Sequence, residues 1–169
     1  MSSGKTAGVA PASASSRPHV DDIGVLLTLA VGAFKERLHS HLAEAGYRDL
    51  GPSYGFVFRS LADGPLSLVA LAQRLGISAQ GALKIASEMV ERGYVEREDD
   101  PSDKRVRLLV LTTRGRAALR EARRFHLQVE KDLVKSVGAR QVASAREVLL
   151  AFAAERAAEP LTWGEDRPF

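Results

Sequence analysis

A chain of 169 residues, 45% hydrophobic and 27% charged, has enough apolar material for one packed domain with an extension, which excludes global disorder. It has no cysteine, so disulfides, thiolate zinc sites and thiol-based redox sensing are excluded together. The net charge of +3 favours a polyanionic partner only weakly, no apolar run reaches the roughly 20 residues of a membrane span, and the polar N-terminus implies a cytoplasmic protein.

Residues 1–20 are rich in Ser, Ala, Gly and Pro with almost no large apolar side chain, the composition of a flexible tail. Asp21 or Asp22 can cap a helix from Ile23 to Ala45, because a short carboxylate there accepts from the first unpaired backbone N–H groups. Ile23, Leu26, Ala30, Ala33, Phe34, Leu38 and Leu42 recur every three or four residues, which predicts one buried stripe. Gly46 is its stop. A second helix follows Gly51-Pro52, with Pro at its first position; it buries Tyr54, Val57, Phe58 and Leu61 before Asp63-Gly64-Pro65 breaks it.

Ser67 caps a third helix with Leu68, Leu71, Ala72 and Leu75 on one side and Gly76 at its end. Ser78 caps a fourth after only two residues, and so short a turn makes the two helices cross steeply, as in a helix-turn-helix. The fourth helix ends near Arg92-Gly93, with Ile77, Ala82, Ile85, Ala86, Met89 and Val90 toward the core. Tyr94–Glu98 and Val106–Leu111 read as strands joined by a charged turn. Thr112 or Thr113 caps a fifth helix to about Ser136, with Ala118, Ala122, Phe125, Val129 and Leu133 on one face. A sixth follows Gly138, carries Val142, Ala145, Leu149, Phe152 and Ala153, and stops at Pro160. Trp163 and Phe169 lie in a final tail that can pack on a partner or stay loose.

The expected fold is therefore mainly α with a small β-hairpin wing: a winged helix-turn-helix core flanked by long dimerisation helices. Its parts are a tail over 1–20, an N-terminal dimerisation helix over 21–50, the winged helix-turn-helix domain over 51–112, C-terminal dimerisation helices over 113–159 and a tail over 160–169. Helices of about 20 residues span about 30 Å, more than the small centre needs, so their surplus apolar faces are expected to meet a second copy.

The nucleic-acid case rests on placement, since residues 64–111 carry seven basic and seven acidic side chains. On the fourth helix the face away from the core displays Gln80, Gly81, Lys84, Ser87 and Glu88. Gln80 can pair bidentately with adenine, and Lys84 can reach a phosphate or guanine. Ala79 and Gly81 keep the N-terminal end thin, and that positive end with Ser78 can meet a phosphate. In the wing loop, Lys104 and Arg105 lie beside Asp103; a guanidinium at a loop tip can enter a narrow minor groove, and Asp103 can hold it by an ion pair. Each piece alone also reads as an ordinary solvated surface.

No catalytic constellation, phosphate loop or cofactor motif occurs, so the chain does not read as an enzyme. Asp99, Asp100 and Asp103 lack the Gly and Glu spacing of a calcium loop, and Lys104 and Arg105 oppose a cation there. The alternative from another class is a winged-helix protein-interaction module without DNA binding.

From Gly51-Pro52 to Thr113 the pieces LVALAQRLGIS, EMVERGYVERE and DPSDKRVRLLVLT, in that order, resemble the MarR family of winged-helix transcriptional regulators. With the long flanking helices the resemblance extends over about residues 21–158. It implies a homodimer on a pseudo-palindromic operator, usually a repressor, released by a small aromatic or phenolic effector. It makes Ser78–Glu88 the recognition helix, Arg105 the minor-groove arginine and Asp103 its orienting carboxylate. By the same analogy the effector pocket lies near the first, second and fifth helices, with Phe34, Leu38, His41, Tyr54 and Phe58 as candidates. The chain departs from the pattern where many members have a small hydroxyl residue at Leu83 and an arginine at Lys84; a lysine cannot form the bidentate fork.

Overall fold

The oxygen Oδ1 of Asp22 accepts from the backbone N–H groups of Gly24 and Val25 at 2.7 and 3.2 Å, and helix α1 (Ile23–Glu44) starts there. The structure, a computed structural model, describes residues 22–157. They fall into two compact units, one up to Glu36 and the other from Arg37. The expected tails at both ends, with Pro160, Trp163 and Phe169, lie outside the described residues.

In the first unit the stretch from Ile23 to Phe34 carries no charged residue. Ile23, Val25, Leu26, Leu29 and Val31 are all exposed. This corrects the expected buried stripe: of its seven residues Leu42 alone is buried, with Phe34 and Leu38 half-buried. Apolar side chains here point to nearly every side of the helix, so no single stripe exists to be covered.

The second unit is built in the order α2 (Tyr54–Leu61), β1 (Leu66–Ser67), α3 (Leu68–Leu75), α4 (Ala79–Glu91), β2 (Val95–Asp99), β3 (Arg107–Leu111), α5 (Thr113–Val137) and α6 (Ala139–Ala157). The mainly α fold with a small wing is as expected, with one strand more. The short β1 pairs antiparallel with β3, Leu66 opposite Leu109, giving the sheet order β1-β3-β2. Two residues are too few to show alternation, so this strand left no period in the sequence. Strand β2 sits one residue later than expected and β3 starts one residue later but ends at Leu111 as expected, with Val95 opposite Leu111 and Asp99 opposite Arg107. Pro52 also differs: it precedes Ser53, the N-cap of α2, instead of opening the helix.

The expected caps of the two central helices are present. Ser67 Oγ accepts from Ala70 N at 3.2 Å and Ser78 Oγ from Gly81 N at 3.1 Å. Between them Gly76 turns the chain at φ +63°, a conformation that costs a side-chain-bearing residue and costs glycine little. Thr112, not Thr113, caps α5 by accepting from Gly115 N at 3.0 Å.

The core joins α2, α3, α4, the sheet and the start of α5. Val57, Leu71, Ala86, Met89 and Tyr94 are fully enclosed there, each large apolar side chain contributing on the order of 1.5–3 kcal/mol by leaving water. Tyr54, Phe58 and Tyr94 meet edge to face, with centroids 5.7–6.5 Å apart, the arrangement that ring quadrupoles favour. At Gly115 a Cβ would stand 2.1 Å from Tyr94 O, so only glycine lets α5 begin this close to the wing. Farther along, the expected stripes fade. Ala118 and Phe125 are buried and Ala122 and Val129 half-buried, but Leu133 on α5 and Ala145, Leu149, Phe152 and Ala153 on α6 are exposed.

Candidate nucleic-acid interface

Helix α4 turns Ala82, Ala86 and Met89 fully inward, and this fixes what its other face offers. Ala79, Gln80 and Lys84 are exposed, while Gly81, Ser87 and Glu88 are half-buried. The expected face is therefore present as a strip with an amide and an ammonium at its N-terminal end. The strip continues onto the wing: Arg97 of β2 donates from Nη2 to Ser87 Oγ at 3.1 Å. Arg97 is not among the residues that the sequence marks out. Strand alternation was the available signal, since Arg97 stands two residues from the buried Val95 and so shares its side of the hairpin.

The wing loop is organised by its own carboxylates. Asp100 Oδ1 accepts from Ser102 N at 2.8 Å and from Ser102 Oγ at 2.6 Å. Asp103 accepts three bonds from Arg105, from the backbone N and Nε to Oδ1 at 3.0 Å each and from Nη2 to Oδ2 at 2.9 Å. The guanidinium bonds and then the backbone N–H hold the Asp103 carboxyl below the usual carboxylate range, so the pair stays charged near neutrality. Arg105 is nevertheless 90% exposed at its side chain. A guanidinium has five N–H donors, and Asp103 engages two of them, leaving three directed outward. Lys104 is exposed beside it. Below the loop Arg107 Nη1 pairs with Asp99 Oδ1 at 3.1 Å and ties the two strand ends together.

The base of the wing is braced by groups that no local sequence pattern marks. Asp49, before α2, accepts from the Tyr94 hydroxyl and from Arg114 Nη2 at 3.0 and 3.2 Å. The Arg114 guanidinium stands 4.6 Å from the Tyr94 ring centroid, and Arg92 donates to the Asp49 carbonyl. Burial, then the bond to ionised Asp49, pushes the Tyr94 hydroxyl up to about 12. Burial opposes the charge on Asp49, but the Tyr94 bond, its backbone and the two arginines outweigh it and hold the carboxyl below its ordinary value. These contacts join residues 49, 92, 94 and 114, too far apart in sequence for any periodicity to reveal them.

The expected effector residues have separate surroundings. Tyr54 and Phe58 belong to the core beside Tyr94. His41 Nε2 meets Glu121 Oε1 at 2.7 Å and its ring lies 5.3 Å from that of Phe125. Leu38 is half-buried, and Phe34 belongs to the unit ending at Glu36. A cleft of about 600 Å³ opens elsewhere, between the α2–β1 turn, the wing and α5, lined by Glu96, Glu98, Arg116, Arg120 and Arg123 among others.

A helix-turn-helix whose second helix shows a polar strip, followed by a hairpin with an anchored arginine, defines the winged-helix class. The model of the MarR family matches residues 48–106, the winged-helix part of the chain. A mutant MarR from E. coli complexed with operator DNA is similar in fold, with a TM-score of 0.60 and 23% identity over 77% of this chain and 92% of that one. A MarR-family transcriptional regulator from Rhodococcus sp. RHA1 gives 0.59 and 24% over 82% and 98%. An uncharacterised protein of Mycobacterium tuberculosis is 29% identical over 100 residues, 57% of this chain and 70% of its own length. Among the described residues no helix is long and apolar enough to cross a membrane.

Proposed function

We propose that this chain is a homodimeric, sequence-specific DNA-binding regulator, a repressor that leaves a pseudo-palindromic operator when a small aromatic or phenolic effector binds. The observation that carries the reading is Arg105, exposed at the wing tip yet fixed by Asp103 in a bidentate pair. A free arginine carries about 2 kcal/mol of rotamer entropy, and the pair has removed part of that cost before any phosphate or groove is met. Two copies place their α4 helices about 34–36 Å apart, one turn of duplex. Gln80, Lys84 and the capped end at Ser78 then meet base edges and phosphates in the major groove, with Lys104 and Arg105 in the adjacent minor groove.

Release requires an effector that binds the non-binding arrangement more tightly than the DNA-bound one. His41, paired with Glu121 across α1 and α5, and Tyr54 in α2 are positions where such a ligand would act on both the dimer helices and the winged unit. The test is a gel-shift series with the DNA upstream of the protein's own coding sequence. A retarded species whose log affinity falls with log salt at about −0.9 per phosphate contact is expected. Absence of any such species at low salt overturns the reading.

A further inference from the structure

We propose that Leu83 is a base-reading residue, and that this recognition helix selects a thymine beside the base pair met by Gln80 through contact with its 5-methyl group. The inference rests on the DNA-binding reading and specifies what that site recognises. Leu83 is 45% exposed and lies outside the hydrophobic core, although its neighbour Ala82 is fully buried. On a helix, residues three and four apart stand over one another, so Leu83 sits between Gln80 and Ser87 on the outward strip. Long side chains on helices lean toward the N-terminus, which carries the isobutyl group toward Gln80 and the end of the helix that enters a groove. Of the three large apolar side chains exposed between Arg37 and Thr112 among the described residues, Phe56, Val69 and Leu83, it alone is on α4.

Chemistry narrows what Leu83 can read. It has no donor or acceptor, and the major groove offers one apolar group, the thymine methyl. Opposite cytosine or adenine it would cover an exocyclic amine without returning a hydrogen bond, which is unfavourable. Gln80 pairs with adenine on its own account, so the two side chains together favour an A·T-containing step in each half-site.

Replacing thymine by deoxyuridine removes the methyl and nothing else. Duplexes are first selected from a random pool by the wild-type protein, and each thymine is then replaced in turn. One thymine per half-site is expected at which uracil weakens wild-type binding about four-fold, the worth of one buried CH₂-sized group. Leu83→Ala weakens binding to the thymine duplex by a similar factor, and the two losses do not add. Far-UV circular dichroism checks that the variant keeps its fold. The proposal is overturned if uracil is tolerated at every position, or if the uracil penalty is the same in Leu83→Ala. If the pool yields no bound duplex at all, the DNA-binding reading itself falls, a result distinct from both.

Discussion

At the scale of single residues, the α4 strip and the wing tip would ask different things of the DNA in the proposed complex. Arg105 keeps three donors beyond its pair with Asp103 and has no need of a particular base, whereas Gln80 offers an amide that matches adenine. Arg105→Ala is expected to weaken binding to specific and random duplexes alike and to reduce the salt slope by about 1. Gln80→Ala instead flattens preference at particular positions, by about 1–3 kcal/mol for the lost bidentate pair. Affinities for a panel of single-base operator variants separate the two, and an Arg105→Ala protein that lost affinity for one sequence only would contradict the assignment. Residues 99–105 were legible in the sequence because an Asp two positions before an Arg needs only local geometry to pair with it. Arg97 was not, because its partner Ser87 lies on a different element.

Among the elements, the wing's base is the part that sequence periodicity conceals and packing reveals. The turn before α2, the start of β2 and the start of α5 converge on the Tyr94 hydroxyl and the Asp49 carboxylate, while Thr112 N donates to Tyr94 O at 3.1 Å. The caps, the αL glycine and the apolar spacing of α3 and α4 were readable, because each is a rule acting over four or fewer residues. This brace is a property of three segments at once. It carries a pH signature with a definite sign. Tyr94 ionises at about 12 when folded against its ordinary value of 10, so the folded state keeps a proton the unfolded chain has released. Its contribution is therefore complete below pH 10 and is lost as pH rises through 12. Urea midpoints should fall across that window in the wild type and fall less in Tyr94→Phe. That variant starts about 1–2 kcal/mol less stable because Asp49 loses a donor. Equal slopes in the two proteins would show that Tyr94 does not control the alkaline limb.

For the whole molecule, the question is what covers the long helices. Apolar spacing predicts a buried stripe on each, and the single chain leaves much of them bare: Val148, Leu149, Leu150 and Phe152 on α6 are 51–67% exposed, and Leu127, Leu133, Val134 and Val137 on α5 are exposed as well. Apolar periodicity reports that a face is to be buried but not whether the same chain buries it, which is why the two diverge here and agree in α2–α4. Large apolar side chains exposed in this number on two helices are the material of an association site, and the proposed dimer is its occupant. Placing charge on it with Leu149→Glu and Phe152→Glu together should shift the protein from dimer to monomer in sedimentation at micromolar concentration, with helix content retained. The consequence for DNA follows from bivalency. A dimer engages its second half-site intramolecularly, which raises overall affinity by about 10²–10⁴, while a monomer keeps α4 and the wing intact but holds one half-site. The double variant should therefore still bind at low salt, with affinity reduced by that factor. Its salt slope should be about half that of the wild type, since one set of phosphates is neutralised instead of two. A variant that sediments as a monomer yet binds with the full slope would mean that one chain contacts the whole operator, and the paired-helix geometry would have to be abandoned.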